Sequence, residues 1–274
     1  MGGRLLGTAG FVGNGRPLWP AFGLMRGLHA LFAVAGEAEQ SGGIMKRWSI
    51  VPTGALGSLT GRRARANAFA MTRIQTLFVT KLYRAELDEA RAPLAEIDAT
   101  CRSLAVDDEA GQAWCRKHGY AGYTSYASLN DLPWRFPAIK KLVKALDAEV
   151  AAFARELEFD LGREKLRLDD IWVNILPEGG VHTSHIHPRS VISGTYYVAT
   201  PKGSSALKLE DPRLGLMMAA PPRKAKAALD QRAFVYEAPQ PGTVLLWESW
   251  LRHEVPLNQS SEERISVSFN YRWR

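Results

Sequence analysis

The sequence is poor in cysteine: Cys101 and Cys115 are the only two in 274 residues. Two thiols cannot build a disulfide framework, and their spacing matches no zinc motif. Both are expected to be reduced, as in a cytoplasmic protein. No run of 18 apolar residues occurs, so no membrane-spanning helix is expected. No internal repeat is visible, which sets aside solenoids and propellers. Unbalanced charge is also scarce where it would matter. The net charge is +7, but residues 1–70 hold eight basic and two acidic residues, leaving 27 basic and 26 acidic in the remainder. The balance of the longer part excludes a broad phosphate-binding surface, and no nucleic-acid partner is expected.

What is present divides at about residue 70. Residues 1–70 hold 14 of the 24 glycines and show no sustained helical or alternating pattern. Such a composition offers little apolar surface to offset chain entropy, so this part is expected to be disordered or non-native. Arg62-Arg63-Ala64-Arg65 reads as a solvated basic tract. Gly27–Ala35 has a faint likeness to a signal-peptide core, but dense Gly and Pro upstream fit that template poorly. Met71 is the expected physiological start.

From Met71 the pattern becomes that of a folded domain. Ile74–Tyr83 alternates and predicts a strand. Leu87–Leu104 is Ala-rich and predicts a helix near Pro93. Gly119–Leu129 sets Tyr120, Tyr123 and Tyr126 among glycines, which predicts an ordered loop or short strand. Pro137 opens the clearest helix, with Ile139, Leu142, Val143, Leu146, Val150, Phe153 and Leu157 at three- and four-residue steps. After Gly162 short strands take over: 171–176, 191–199, 206–209, 234–237, 243–247 and 265–273. Pro/Gly turns separate them, and 217–228 reads as a lid or loop insertion with a short helix. The fold expected is mainly β (α+β): a jelly roll or double-stranded β-helix, cupin-like, over residues 163–274, supported by helices in 71–162.

Three of the six histidines fall within His182-Thr183-Ser184-His185-Ile186-His187. On an extended strand, side chains two apart share a face, so His185 and His187 point together and His182 points away. Two imidazoles on one face can bind one metal ion. His253 precedes the last long strand, and a jelly roll sets an early and a late strand side by side. His185, His187 and His253 are therefore the candidate metal ligands and catalytic centre. His29 and His118 are expected to be surface residues. Arg264 and Ser266 share a face of the final strand. A buried arginine there needs a carboxylate, supplied either by the protein or by a dicarboxylic co-substrate. Asn174, Tyr196, Tyr197 and Trp247 are candidates for the pocket wall.

Several stretches together resemble a group within the Fe(II)/2-oxoglutarate-dependent oxygenase superfamily. They are Gly119-Tyr120-x-Gly122-Tyr123-Thr124-Ser125-Tyr126, Trp172-Val173-Asn174, His185-x-His187-Pro188, Ser193-Gly194-x-Tyr196-Tyr197, Asp211-Pro212-Arg213, Pro241-Gly242, Trp250-Leu251-x-His253 and Arg264-Ile265-Ser266-x-Ser268-Phe269-Asn270. The resemblance implies a double-stranded β-helix with Fe(II) on His185, His187 and His253. It further implies 2-oxoglutarate bound through Arg264 and Ser266, with Asn174 and Tyr197 beside it, and O₂ as the oxidant. The wider superfamily has Asp or Glu where His187 stands; imidazole there leaves the centre one unit more positive. The implied reaction oxidises, by hydroxylation, a small-molecule or peptide substrate with release of succinate and CO₂; a homodimer would be unsurprising.

Two other readings stay open on the sequence. A three-histidine site can serve a zinc hydrolase or hydratase, or a cupin dioxygenase that uses no 2-oxoglutarate. A cupin-like module could also bind a ligand without catalysis. Arg264-x-Ser266 argues against both other enzymes, since neither needs a carboxylate anchor at that position.

Overall fold

In the computed structural model, residues 73–274 are described. The expectations for residues 1–70, for His29 and for a start at Met71 lie outside that range. Among the described residues, ten strands form two antiparallel sheets. Their ranges are β1 Tyr83–Glu86, β2 Tyr123–Thr124, β3 Leu166–Leu176, β4 His182–His185, β5 Ile192–Ala199, β6 Leu207–Glu210, β7 Phe234–Glu237, β8 Thr243–Glu248, β9 His253–Val255 and β10 Arg264–Trp273. The larger sheet runs β1-β8-β5-β10-β3-β2, and the smaller runs β4-β9-β6-β7. From β3 onward the chain passes back and forth between the two sheets. That path is a double-stranded β-helix, as the turn spacing predicted.

The period of two along each strand decides what each face of the larger sheet meets. On β10, Ile265, Val267, Phe269 and Tyr271 are buried in the core that contains the helices. Arg264, Ser266, Ser268 and Asn270 alternate with them and face the interior between the sheets. β3 repeats the pattern: Ile171, Val173 and Ile175 enter the helical core, while Trp172 and Asn174 face inward. Between the sheets, Tyr197, Leu207, Leu209, Leu245, Trp247 and Leu251 form a second, smaller apolar cluster.

Among the described residues, four helices precede β3: α1 Leu94–Asp107, α2 Glu109–His118, α3 Leu132–Arg135 and α4 Pro137–Glu156. α4 begins on the proline that predicted it and buries Ile139, Leu142, Leu146, Val150 and Phe153. Each such side chain contributes about 1.5–3 kcal/mol when fully buried. α1 adds Ile97, Cys101 and Leu104 to the same core. Both cysteines are free and buried. Burial pushes the Cys101 thiol up to about 12. Among the described residues, no helix is long and apolar enough to cross a membrane.

Three elements differ from expectation. The strand expected over Ile74–Tyr83 begins only at Tyr83, and Ile74, Leu77, Phe78 and Val79 are exposed. The reason is a short partner: Tyr83 already lies opposite Leu246, and β8 ends at Glu248. The insertion 217–228 contains no helix; 3₁₀ turns at Leu214–Leu216 and Leu229–Gln231 flank it instead. α2 was missed because it is polar, burying only Gly111 and Cys115.

The loop after α2 sits tightly on β3. The Asp108 carboxylate caps α2 by accepting from the Gly111 amide at 3.0 Å. It also accepts from the Tyr123 hydroxyl at 2.9 Å and from the Ser128 hydroxyl. Gly119 closes α2 in the left-handed region. Gly122 has φ +128, and a Cβ there would collide with the Ile175 carbonyl oxygen. Gly122→Ala should therefore cost about 2 kcal/mol or more through strain and lost β2–β3 pairing. A denaturant-unfolding midpoint unchanged from wild type would contradict this.

Candidate metal centre

β4 and β9 are short, but they are hydrogen-bonded neighbours that bring the histidine cluster together. His185 lies directly opposite His253. His187 follows β4, and its backbone N–H donates to the Ser249 carbonyl at 3.0 Å. One ring nitrogen from each of His185, His187 and His253 lies within 4.8 Å of the others. The Nε2 atoms of His187 and His253 are 3.3 Å apart.

Two of the three rings are oriented by the chain itself. His185 Nδ1 lies 2.7 Å from the Thr183 carbonyl, and His253 Nδ1 lies 2.8 Å from the Leu251 carbonyl. A carbonyl only accepts, so each Nδ1 carries the proton and each Nε2 presents a lone pair. That is the tautomer a metal-binding histidine needs, fixed by the partner of its other nitrogen. Burial is the main cause that lowers all three pKa values: His187 to about 4, His253 to about 3, and His185 in the same direction. The rings are neutral near pH 7. Three convergent neutral imidazoles fit a divalent first-row metal.

His182 departs from the parity expectation. A register irregularity between His182 and His185 interrupts the alternation of β4. His182 accordingly lines the same cleft, with its ring centroid 4.6 Å from that of His185. Its Nδ1 is 3.3 Å from the Tyr120 hydroxyl. Burial and the neighbouring histidines pull its pKa down to about 4.

Arg264 and Ser266 line the cleft between the sheets together with the histidines. Arg264 is 2% exposed. Its Nε donates to the Ser205 carbonyl at 3.2 Å and its Nη1 to the Ser266 hydroxyl at 3.3 Å. Its guanidinium carbon is 5.2 Å from the centroid of the Tyr197 ring. These partners are neutral, and among the described residues no aspartate or glutamate lines the cleft. Burial accordingly pulls the Arg264 pKa below its ordinary value, with Tyr197 and Tyr120 opposing. A fully buried cation without an anion is costly, by several kcal/mol for an isolated ion. The arrangement fits a carboxylate-bearing ligand, which a guanidinium binds through paired hydrogen bonds.

The remaining candidates divide by strand parity and depth. Asn174 lines the cleft; its Oδ1 accepts from Thr124 Oγ1 at 2.9 Å and its Nδ2 donates to Ser268 Oγ at 3.0 Å. Trp247 also lines it, with its ring against His253. Tyr197 lies beneath Arg264 in the inter-sheet cluster, outside the cleft wall. Tyr196, one residue earlier, points the other way into the helical core. His118 is a surface residue, stacked on Trp114. Tyr120 and Trp172 are wall residues that strand-by-strand reading did not single out. The tyrosine-rich loop is a signal for the former, and the Trp172-Val173-Asn174 stretch, which sets Trp172 on the same strand face as Asn174, is one for the latter.

Residues 170–270 match a family model described as "Putative 2OG-Fe(II) oxygenase". No curated protein matches the chain. Among solved structures, a prolyl-4-hydroxylase from Pseudomonas putida is 16% identical, with 70% of this chain and 93% of that one covered and a TM-score of 0.44. The alpha-ketoglutarate-dependent epimerase SnoN from nogalamycin biosynthesis is 16% identical, covering 70% and 76%, with a TM-score of 0.47. An oxidoreductase of the 2OG-Fe(II) oxygenase family from Burkholderia pseudomallei is 17% identical, covering 50% of this chain and 58% of that one, with a TM-score of 0.37. The stretch that matches this family model contains all three clustered histidines, Arg264 and Ser266.

Proposed function

We propose that the protein is an Fe(II)- and 2-oxoglutarate-dependent dioxygenase that hydroxylates a small-molecule or peptide substrate and releases succinate and CO₂. The observation that carries this reading is the pairing, in one cleft, of three convergent imidazoles with a buried guanidinium that has no acidic partner among the described residues. A hydrolytic three-histidine site needs no such cation.

In this reading His185, His187 and His253 hold the iron. When bound, iron and 2-oxoglutarate supply an O₂-derived oxidant able to remove a hydrogen atom from the substrate. The chain's own residues do the positioning. Arg264 and Ser266 hold the distal carboxylate, and Tyr197 supports the guanidinium from below. Asn174, tied to Thr124 and Ser268, keeps the adjacent wall rigid. Trp172 and Trp247 narrow the cleft and limit water around the centre. Enclosing the reacting groups in this way is the protein's part in such chemistry.

His187 makes the centre differ from a two-histidine, one-carboxylate site. With three neutral ligands the metal keeps its full +2 charge until co-substrate arrives. Arg264 adds one more positive charge to the same cleft. A doubly negative co-substrate is favoured by both ends at once, because Coulomb attraction is strong where water is excluded.

Anaerobic addition of 2-oxoglutarate to the Fe(II)-loaded protein should produce a visible metal-to-ligand charge-transfer band. Arg264→Ala should raise the 2-oxoglutarate Kd by roughly a hundredfold, as expected for loss of a buried charged pair. No band in wild type, together with unchanged 2-oxoglutarate binding by Arg264→Ala, would refute the co-substrate assignment. His253→Ala should reduce bound iron to background in elemental analysis. Full occupancy in that variant would show that the three rings are not the metal site.

A further inference from the structure

The three rings of the metal centre are not held alike. His185 and His253 are each fixed at Nδ1 by a carbonyl two residues back in the chain. His187 has no such carbonyl among the described residues. Its ring stacks on His253, with centroids 5.1 Å apart, and leans on Trp172 at 5.9 Å. Its placement therefore comes through the backbone. His187 lies beyond the end of β4, and Pro188 after it confines it to extended conformations. Its N–H donates to the Ser249 carbonyl, in the turn between β8 and β9.

Ser249 is held in turn by a buried polar chain. Its hydroxyl is 2.8 Å from the Ser193 hydroxyl, which donates to Asn270 Oδ1 at 2.8 Å. The Ser193 proton is committed to Asn270, so Ser249 is the donor of the first bond. Ser193 lies opposite Asn270 in the pairing of β5 with β10. All three residues are at most 3% exposed, and none lines the cleft.

We propose that Ser249, Ser193 and Asn270 position His187 for the metal. They act through the Ser249 carbonyl, as positioning residues. This rests on the reading that His187 is a metal ligand.

Three observations support it. First, Ser249 is pinned in three directions. Its N–H donates to the Val191 carbonyl at 3.0 Å, its carbonyl accepts from His187 at 3.0 Å, and its hydroxyl reaches Ser193. Second, Asn270 belongs to the inward row of β10 that begins with Arg264. One strand thus sets the guanidinium directly and the third ring through Ser193. Third, apolar side chains of matching shape can fill such a space with little loss of stability. Stability alone does not call for two hydroxyls and an amide here, whereas hydroxyls that donate in series hold one arrangement.

The test measures Fe(II) binding by the full-length protein, anaerobically and without 2-oxoglutarate, in competition with a chromogenic chelator. Asn270→Ala should raise the Fe(II) Kd roughly tenfold, as loss of an outer partner of a metal ligand does. Ser193→Ala should act alike, and the double variant should exceed either by less than about twofold, since the chain works as a unit. The loss should run through one ring. Asn270→Ala should keep its effect in the His185→Ala background and fall below about twofold in the His187→Ala background. In the Co(II)-loaded protein at saturating metal, Asn270→Ala should shift the visible ligand-field bands, which report how the ligands are arranged.

An Asn270→Ala Kd within about twofold of wild type overturns the assignment. So does an equal loss in the two histidine backgrounds, which would mark a general loosening of the fold. Where the His187→Ala site binds too weakly to titrate, the Co(II) bands decide, and bands that Asn270→Ala leaves unshifted overturn the assignment. If His187→Ala weakens Fe(II) binding and Asn270→Ala does not, only the positioning role fails. If His187→Ala binds Fe(II) as wild type does, His187 is no ligand and the positioning role falls with it.

Discussion

The structure depends on the pairing of β10 with β3 on one side and β5 on the other. Because β10 sits inside the larger sheet, each of its side chains is committed to one of two environments. The odd positions Ile265–Tyr271 enter the apolar core under the helices. The even positions, from Arg264 to Asn270, have no choice but the interior between the sheets. One strand therefore anchors the hydrophobic core and furnishes the polar floor of the cleft. A shift of one residue in its register would exchange those sets, placing Arg264 against α1 and α4. The stability of the core thus enforces the chemistry of the site.

The cleft is unusual in charge. It collects imidazoles and a guanidinium and contains no carboxylate among the described residues. Among the described residues no carboxylate balances the buried guanidinium, although arginines elsewhere are paired: Arg102, for example, meets both Asp98 and Glu263. Leaving one cation unpaired makes the site specific for anions, since a neutral ligand leaves its burial cost unmet.

Much of this was legible in the sequence because it follows from short-range periodicity. The α4 face, the inward row of β10 and the His185–His187 pair are direct consequences of steps of 3.6 or 2. What escaped depended on irregularity or on long-range pairing. His182 was assigned to the wrong face because no local feature announces the irregularity in β4. β9 has three residues, too few for a pattern, and is held by β4 and β6. α2 lacks an apolar stripe, and its only local signals are Asp108 and Gly119, which bracket it as start and stop residues. The meeting of Tyr120 with His182 spans 62 positions and no sequence rule foretells it.

The carboxylate of Asp108 joins features that would otherwise be independent. It is at once the cap of α2 and the acceptor for Tyr123 and Ser128, on the loop that carries Tyr120 into the cleft. Unravelling the first turn of α2 and releasing that loop are then a single cooperative event. A wall of the histidine-lined cleft is in this way tied, through one carboxylate, to the first turn of a small surface helix.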